Sequence, residues 1–386
     1  MKKNYIQLLT FICISFTSLA QFPIGSTTIT FNDPARSGGF GSGGGAGRQI
    51  QTEIYYPGTI AGVDVTVANG IFPVITFGHG FAMSWDAYQN IWQHYVPLGY
   101  IVVFPRTEGS IFPTPSHGDF GLDLKQVDEK MQFLNSTVAS PFYQKISSNS
   151  AIMGHSMGGG ATILAGEGNT TIETIIGFAP AETTVSAIAA ASGVTVPSII
   201  FSGSQDGVTP ANDHHLPIYN GLSSACKSFV NIVGGGHCYF ANANFNCDFG
   251  EATSSTGISI TRAEQQTKTY SILDPWFEYI LKGNSAAYST YLTALNELPG
   301  ELISETTCQG LKLEESELEV RFYPNPVGEK LVIENPNGKE FNIQVSNLLG
   351  EVVYVTKTNS IVDLSALKTG FYTIKINNFN YSIIKD

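Results

Sequence analysis

At 386 residues, 42% hydrophobic, 11% aromatic and 13% charged, the chain has apolar side chains enough for one large core and a smaller one, which excludes a disordered protein. Its 20 Lys plus Arg against 32 Asp plus Glu give a formal charge of −12, which repels a polyphosphate backbone. Nucleic acid is therefore not an expected partner.

Met1-Lys2-Lys3, an apolar run from Tyr5 to Phe16 and then Ser18-Leu19-Ala20 form the three regions of a cleavable secretory signal over residues 1–20. Export is the expectation, with Cys13 removed alongside the signal. No later segment is long and apolar enough to cross a bilayer, so no membrane span is expected in the mature chain. The glycine-rich stretch 37–47 has no GK[ST] after it and reads as a mobile surface loop, not a phosphate cradle.

Between residues 48 and 283, apolar runs of strand length alternate with helical patterns. The runs are Pro73-Val74-Ile75, Ile101-Val102-Val103-Phe104, Ala151-Ile152-Met153, Ile175-Ile176-Gly177-Phe178, Ile199-Ile200-Phe201 and Phe229-Val230-Asn231-Ile232. Continuous runs suit strands covered on both faces, and Leu124, Val127, Met131 and Leu134 show the 3-4 spacing of a covering helix. The expectation is an α/β fold with a mainly parallel sheet over residues 21–308. Trp85, Tyr88, Trp92 and Tyr95 are expected to pack on that sheet, and Asp123 and Asp128 to lie on a solvated helix face.

Gly154-His155-Ser156-Met157-Gly158 matches GxSxG with a buried run before it and a helical pattern after it, the context of a strand-to-helix elbow. A serine hydroxyl is a weak nucleophile at neutral pH and needs a base, and the base an orienting acid. The run ending near Ser202 leads into Gly203-Ser204-Gln205-Asp206, and the next into Gly234-Gly235-Gly236-His237. Ser156, Asp206 and His237 thus follow the chain order of the α/β-hydrolases. Among the other histidines, His79 and His155 sit in glycine-rich turns. His214 and His215 lie in a polar segment where a solvated face or a cap is the ordinary explanation, and His94 and His117 have no motif around them. Two backbone N–H groups should form the oxyanion hole: that of Met157, after the nucleophile, and that of Phe81, in the loop Phe77-Gly78-His79-Gly80-Phe81. Their side chains are expected to flank the scissile ester as a substrate-binding surface.

Cys226, Cys238, Cys247 and Cys308 remain after the signal, and in an oxidising compartment they are expected to pair as Cys238 with Cys247 and Cys226 with Cys308. None has the CxxC or HxxxH spacing of a metal site, so neither metal nor other cofactor is expected. After Leu298-Pro299-Gly300 and an acidic linker at 309–319, residues 320–386 alternate in short strands. Turn signals stand at Asn325-Pro326, Asn337-Gly338, Leu349-Gly350 and Thr369-Gly370, the pattern of a small Ig-like β-sandwich.

Residues 48–283 resemble the cutinase-like polyester hydrolases of the α/β-hydrolase superfamily, which include poly(ethylene terephthalate) hydrolases and related lipases. The shared stretches are Gly80-Phe81, Gly-His-Ser-Met-Gly-Gly-Gly at 154–160, Val196-Pro197 into Ser204-Gln205-Asp206, Leu216-Pro217-Ile218-Tyr219, and Gly235-Gly236-His237-Cys238. The resemblance implies the triad and oxyanion residues named above. Two departures stand out: no aromatic follows Ala179-Pro180, where the family often places a Trp, and Gly203 stands where some relatives have the partner of Cys238. The last segment resembles the C-terminal sorting domains of the type IX secretion system, through Phe322-Tyr323-Pro324-Asn325-Pro326, Leu331-Val332-Ile333, Asp363-Leu364-Ser365, Thr369-Gly370-Phe371-Tyr372 and Lys385. Together these imply a secreted or surface-delivered serine carboxylic ester hydrolase. Polyesters are the expected substrate, and the type IX machinery a partner. The alternatives are a lipase or short-chain esterase on the same triad, and a secreted binding protein with an inactive hydrolase domain.

Overall fold

A computed structural model describes residues 21–296, 300–308, 322–334, 340–347, 351–376 and 379–386. The signal at 1–20, the linker at 309–319, Leu298-Pro299 and the turns at Asn337-Gly338 and Leu349-Gly350 lie outside the described residues. The chain divides into two compact units between residues 309 and 310.

In the first unit, an N-terminal hairpin of β1 (Ile24–Asp33) and β3 (Arg48–Pro57) precedes six strands that pair in parallel. These are β5 (Phe72–Gly78), β6 (Ile101–Pro105), β7 (Ile146–His155), β8 (Thr174–Phe178), β9 (Ser198–Gly203) and β10 (Lys227–Ile232). With the edge strands β4 (Gly62–Val63) and β11 (Leu302–Thr306), the sheet runs β11-β10-β9-β8-β7-β5-β6-β3-β1-β4, and β2 (Gly39–Phe40) lies beside β3. The apolar runs of the sequence all fall in the six parallel strands, whose centres are buried throughout. The hairpin and β11 have no counterpart among the expected strands.

The helices are α1 (Gln89–Tyr95), α2 (His117–Ser136), α3 (Met157–Gly166), α4 (Ala187–Ala190), α5 (His215–Gly221), α6 (Phe245–Ser254), α7 (Arg262–Ile280) and α8 (Ser285–Asn296). Two groups of them cover opposite faces of the sheet. On β8, Thr174 Oγ1 accepts from Trp276 Nε1 of α7, whereas Ile175 packs in the core under α2, α3 and α5; successive strand residues face opposite ways. Local signals set the helix starts. Ser116 Oγ accepts from Asp119 N at α2, and Thr261 and Glu264 form a capping box at α7. Among the described residues, no helix is long and apolar enough to cross a membrane.

Four expectations are corrected. The glycine-rich stretch is pinned to the sheet: β2 pairs with β3, and Gly44 N donates to Gln49 Oε1. Asp123 is fully buried between Arg36 and Arg48, its Oδ1 2.7 Å from Arg36 Nη2 and its Oδ2 2.8 Å from Arg48 Nη2, an internal ion network tying the hairpin to α2. Asp128 is buried against β5 and β7, its Oδ2 accepting from Ser150 Oγ at 2.9 Å. Tyr88, Trp92 and Tyr95 pack inward as expected, but Trp85 is only partly buried, with the Arg106 guanidinium 4.1 Å from its ring.

The second unit is all β. One sheet joins β12 (Phe322–Tyr323), β13 (Lys330–Ile333) and β16 (Ile361–Asp363). The other is formed, in spatial order, by β15 (Val352–Thr358), β14 (Phe341–Asn347), β17 (Gly370–Ile376) and β18 (Phe379–Lys385). Alternating residues such as Leu331, Ile333, Ile343, Val345, Ile374 and Ile376 form its core, as expected of strands with one solvated face.

Candidate active site

The site is built where the parallel strands end. β7 runs to His155, Ser156 turns sharply with φ 56° and ψ −120°, and α3 begins at Met157. A positive φ is rare for a side-chain-bearing residue and concentrates at functional turns. The motif glycines have a steric cause: a Cβ on Gly158 would lie 2.1 Å from Gly78 O, and one on Gly154 2.3 Å from Gly158 O. Although Ser156 occupies the N-cap of α3, its hydroxyl does not cap the helix. Among the described residues it also forms no hydrogen bond with His237; such bonds commonly tighten only with substrate in place.

Asp206 follows β9. Its Oδ1 accepts from the backbone N–H groups of Val208 and Thr209 at 2.9 and 2.8 Å, and its Oδ2 lies 2.8 Å from His237 Nδ1. Burial raises the energy of the carboxylate, but the charge and hydrogen bond of His237 outweigh it, so its pKa is held below the ordinary value. With Nδ1 engaged, Nε2 is the ring nitrogen of His237 left to take a proton.

The His237 loop is clamped from several sides. Gln265 of α7 exchanges two 2.9 Å hydrogen bonds with Gly236, and Glu251 of α6 accepts from the backbone N–H groups of His237 and Cys238. Burial pushes the Glu251 carboxyl upward. Disulfides join Cys238 to Cys247 and Cys226 to Cys308, the pairings expected from the sequence. The first ties α6 to the residue after His237. The second joins the start of β10 to the end of β11.

His155 connects the three loops. Its Nε2 lies 3.0 Å from His237 O and its Nδ1 2.9 Å from Tyr88 Oη, which accepts from Gly80 N at 2.8 Å. Complete burial holds its pKa well below the usual histidine value, so the ring is neutral and structural. His79 is likewise buried, which pushes its pKa down, and its Nδ1 and Nε2 lie 3.0 Å from Gly80 O and 2.9 Å from Thr107 O, of which a neutral ring donates to only one. Phe81 is 48% exposed at the rim, whereas the Met157 side chain is 2% exposed in the core and adds little surface for substrate. Among the described residues, the backbone N–H groups of Phe81 and Met157 have no acceptor.

Two further side chains at the site escaped the sequence. His215 is buried, not solvated, and Thr209 carries no motif; both stand beside Asp206. The signal available for His215 was its place at the start of α5, which faces the strand ends. A cavity of about 760 Å³ lies elsewhere, between β2, Trp85, Arg106 and Phe112. It reaches the oxyanion loop only at His79 and includes none of Ser156, Asp206 and His237.

Residues 20–259 match a family model described as PET hydrolase-like, and residues 321–386 one described as a secretion system C-terminal sorting domain. The chain is 22% identical over 222 residues to Cutinase est1 of Thermobifida alba, covering 57% of this chain and 66% of the relative. It is 23% identical over 222 residues both to Cutinase 1 of Thermobifida cellulosilytica (57% and 75% covered) and to a cutinase of Thermobifida fusca (57% and 65%).

Proposed function

The chain belongs to the PET hydrolase-like family, and from that membership we propose that it cleaves polyesters through Ser156, His237 and Asp206. Its C-terminal unit is a secretion sorting domain, which delivers the protein through the type IX pathway to the cell surface or medium.

His237 Nε2 takes the proton of Ser156 Oγ as that oxygen bonds to the ester carbonyl carbon. The oxyanion accepts from the backbone N–H groups of Met157 and Phe81, the first of them at the N-terminus of α3, where the helix dipole favours negative charge. The intermediate collapses to an acyl-enzyme as His237 passes its proton to the departing alkoxide. Water then gives a proton to the same nitrogen, attacks the acyl carbon and releases the acid, and the proton returns to Ser156. Asp206 stays ionised throughout and holds the Nδ1–H tautomer.

The observation carrying this reading is the 2.8 Å contact of His237 Nδ1 with Asp206 Oδ2 at the sheet edge where Ser156 adopts its positive φ. Exposed Phe81, with Phe245 and Phe249 on α6, supplies apolar surface suited to a polymer. A second reading, a lipase or short-chain esterase, is favoured by Ala181, which brings no ring where relatives often have one. Labelling by a fluorophosphonate, abolished in Ser156→Ala, tests the nucleophile and separates an enzyme from an inactive binding protein. Product release from aromatic and aliphatic polyester films, set against short acyl esters and triacylglycerol, decides the substrate. Failure to release acid from either film would refute the polyester assignment.

A further inference from the structure

Behind Asp206 lies a layer of hydrogen bonds that the ester chemistry leaves unused. Thr209 Oγ1 stands 3.0 Å from Asp206 Oδ2, 2.9 Å from His237 Nδ1 and 3.0 Å from His215 Nε2. His215 is fully buried, and its Nδ1 lies 2.9 Å from Ser202 Oγ on β9. Burial pushes the His215 pKa down to about 3, so the ring is neutral, with one N–H and one lone pair.

Placing the protons fixes the direction of these bonds. Were Thr209 to donate to His215, its lone pairs would face an Asp206 oxygen at 3.0 Å, acceptor against acceptor in a buried site. The His215 proton would then sit on Nδ1, and Ser202 would be left with Gly203 O at 3.4 Å. In the opposite sense, Ser202 O–H donates to His215 Nδ1, His215 Nε2–H to Thr209 Oγ1, and Thr209 O–H to Asp206 Oδ2. Every proton then has an acceptor. Ala179 O, 3.3 Å from Thr209 Oγ1, is the longer and uncharged alternative.

We propose that Thr209 and His215 are positioning residues for the triad, delivering one oriented O–H to the same Asp206 oxygen that His237 uses. This inference rests on the triad reading above. Asp206 then accepts four donors, two on each oxygen, so its carboxylate cannot rotate and its pull on the His237 proton is moderated. The titratable and charged groups facing Asp206 and His237 are His215 of α5 and His214 just before it, His155 at the end of β7, Glu251 from α6 and Arg262 from α7. Thr209→Val leaves all of them in place.

The test uses the full chain with a p-nitrophenyl ester over pH 5–9. Thr209→Val should lower kcat/KM about 10- to 100-fold, through kcat more than KM, the scale of a hydrogen bond to a charged group. The acid limb of the profile should move to higher pH, because a carboxylate missing one donor holds the His237 proton more strongly. Thr209→Ser, which keeps the oxygen, should restore both. A folded Thr209→Val enzyme with kcat/KM within about twofold of wild type and an unmoved acid limb would overturn the relay. So would a Thr209→Ser variant as impaired as Thr209→Val. Ser156→Ala distinguishes the two failures: if it stays active the triad itself is wrong, and if it is dead while Thr209→Val is normal only the relay is wrong.

Discussion

Asp128 projects from α2 against Ser150 of β7 and Thr76 of β5, and burial pushes its pKa from the ordinary 3.8 to about 7. The unfolded chain therefore loses this proton near pH 4, while the folded chain keeps it until near pH 7. Stability contributed by the neutral carboxyl is fully present below pH 4 and falls as pH rises through that window. At 1.36 kcal/mol per pH unit, about three units cost about 4 kcal/mol at pH 8. Asp128→Asn keeps the shape and removes the titration. After allowance for about 1–2 kcal/mol lost where its amide nitrogen lacks an acceptor, the variant should be about 2–3 kcal/mol more stable at pH 8. At pH 4 it should be slightly less stable than wild type. All three tryptophans, Trp85, Trp92 and Trp276, lie in the first unit, so thermal melts followed by their fluorescence report that unit alone. The variant-minus-wild-type Tm difference should rise by roughly 4–10 °C between pH 4 and pH 8. A difference that stays flat across that range would refute the burial argument, since every other titrating group is common to both proteins.

Asp206→Asn should lower kcat about 10⁴-fold with little change in fold, because the amide no longer holds the Nδ1–H tautomer; ester turnover beside a circular-dichroism spectrum checks this. Replacing both Cys226 and Cys308 by Ala should cost about 4–5 kcal/mol, and Cys238 with Cys247 about 2–3 kcal/mol, from the lengths of the loops closed. The second pair, adjoining His237, should cost more activity per unit of stability, which urea melts and ester turnover measured together will reveal. Asp123→Ala leaves the buried Arg48 guanidinium and the partly buried Arg36 guanidinium each short of a carboxylate and should lower stability by about 3–5 kcal/mol in urea unfolding, with activity of the surviving folded fraction retained.

The six parallel strands were legible because each is a continuous apolar run, and a strand buried on both faces permits little else. The elbow was legible for a steric reason, since Gly154 and Gly158 admit no Cβ beside Ser156. The proposed triad rests on a chain order, Ser156, Asp206 and His237, in which each residue lies within five positions of the end of such a run. What local pattern cannot carry is partnership at a distance. Asp123 and Asp128 have the composition of a solvated helix face. Only the fold brings Arg36 and Arg48 to the first, 87 and 75 residues away in the chain, and Ser150 to the second. His215 and Thr209 become neighbours of Asp206 because α5 returns over the end of β9, and the glycine-rich stretch is held because β3 offers it an edge. The strands and the sharp turn at Ser156 could be read from neighbouring residues alone, since those depend on the bulk and polarity of adjacent side chains. Tertiary structure alone decided which charges are buried and which hydroxyl faces Asp206, since burial and hydrogen bonding depend on groups that only folding brings together.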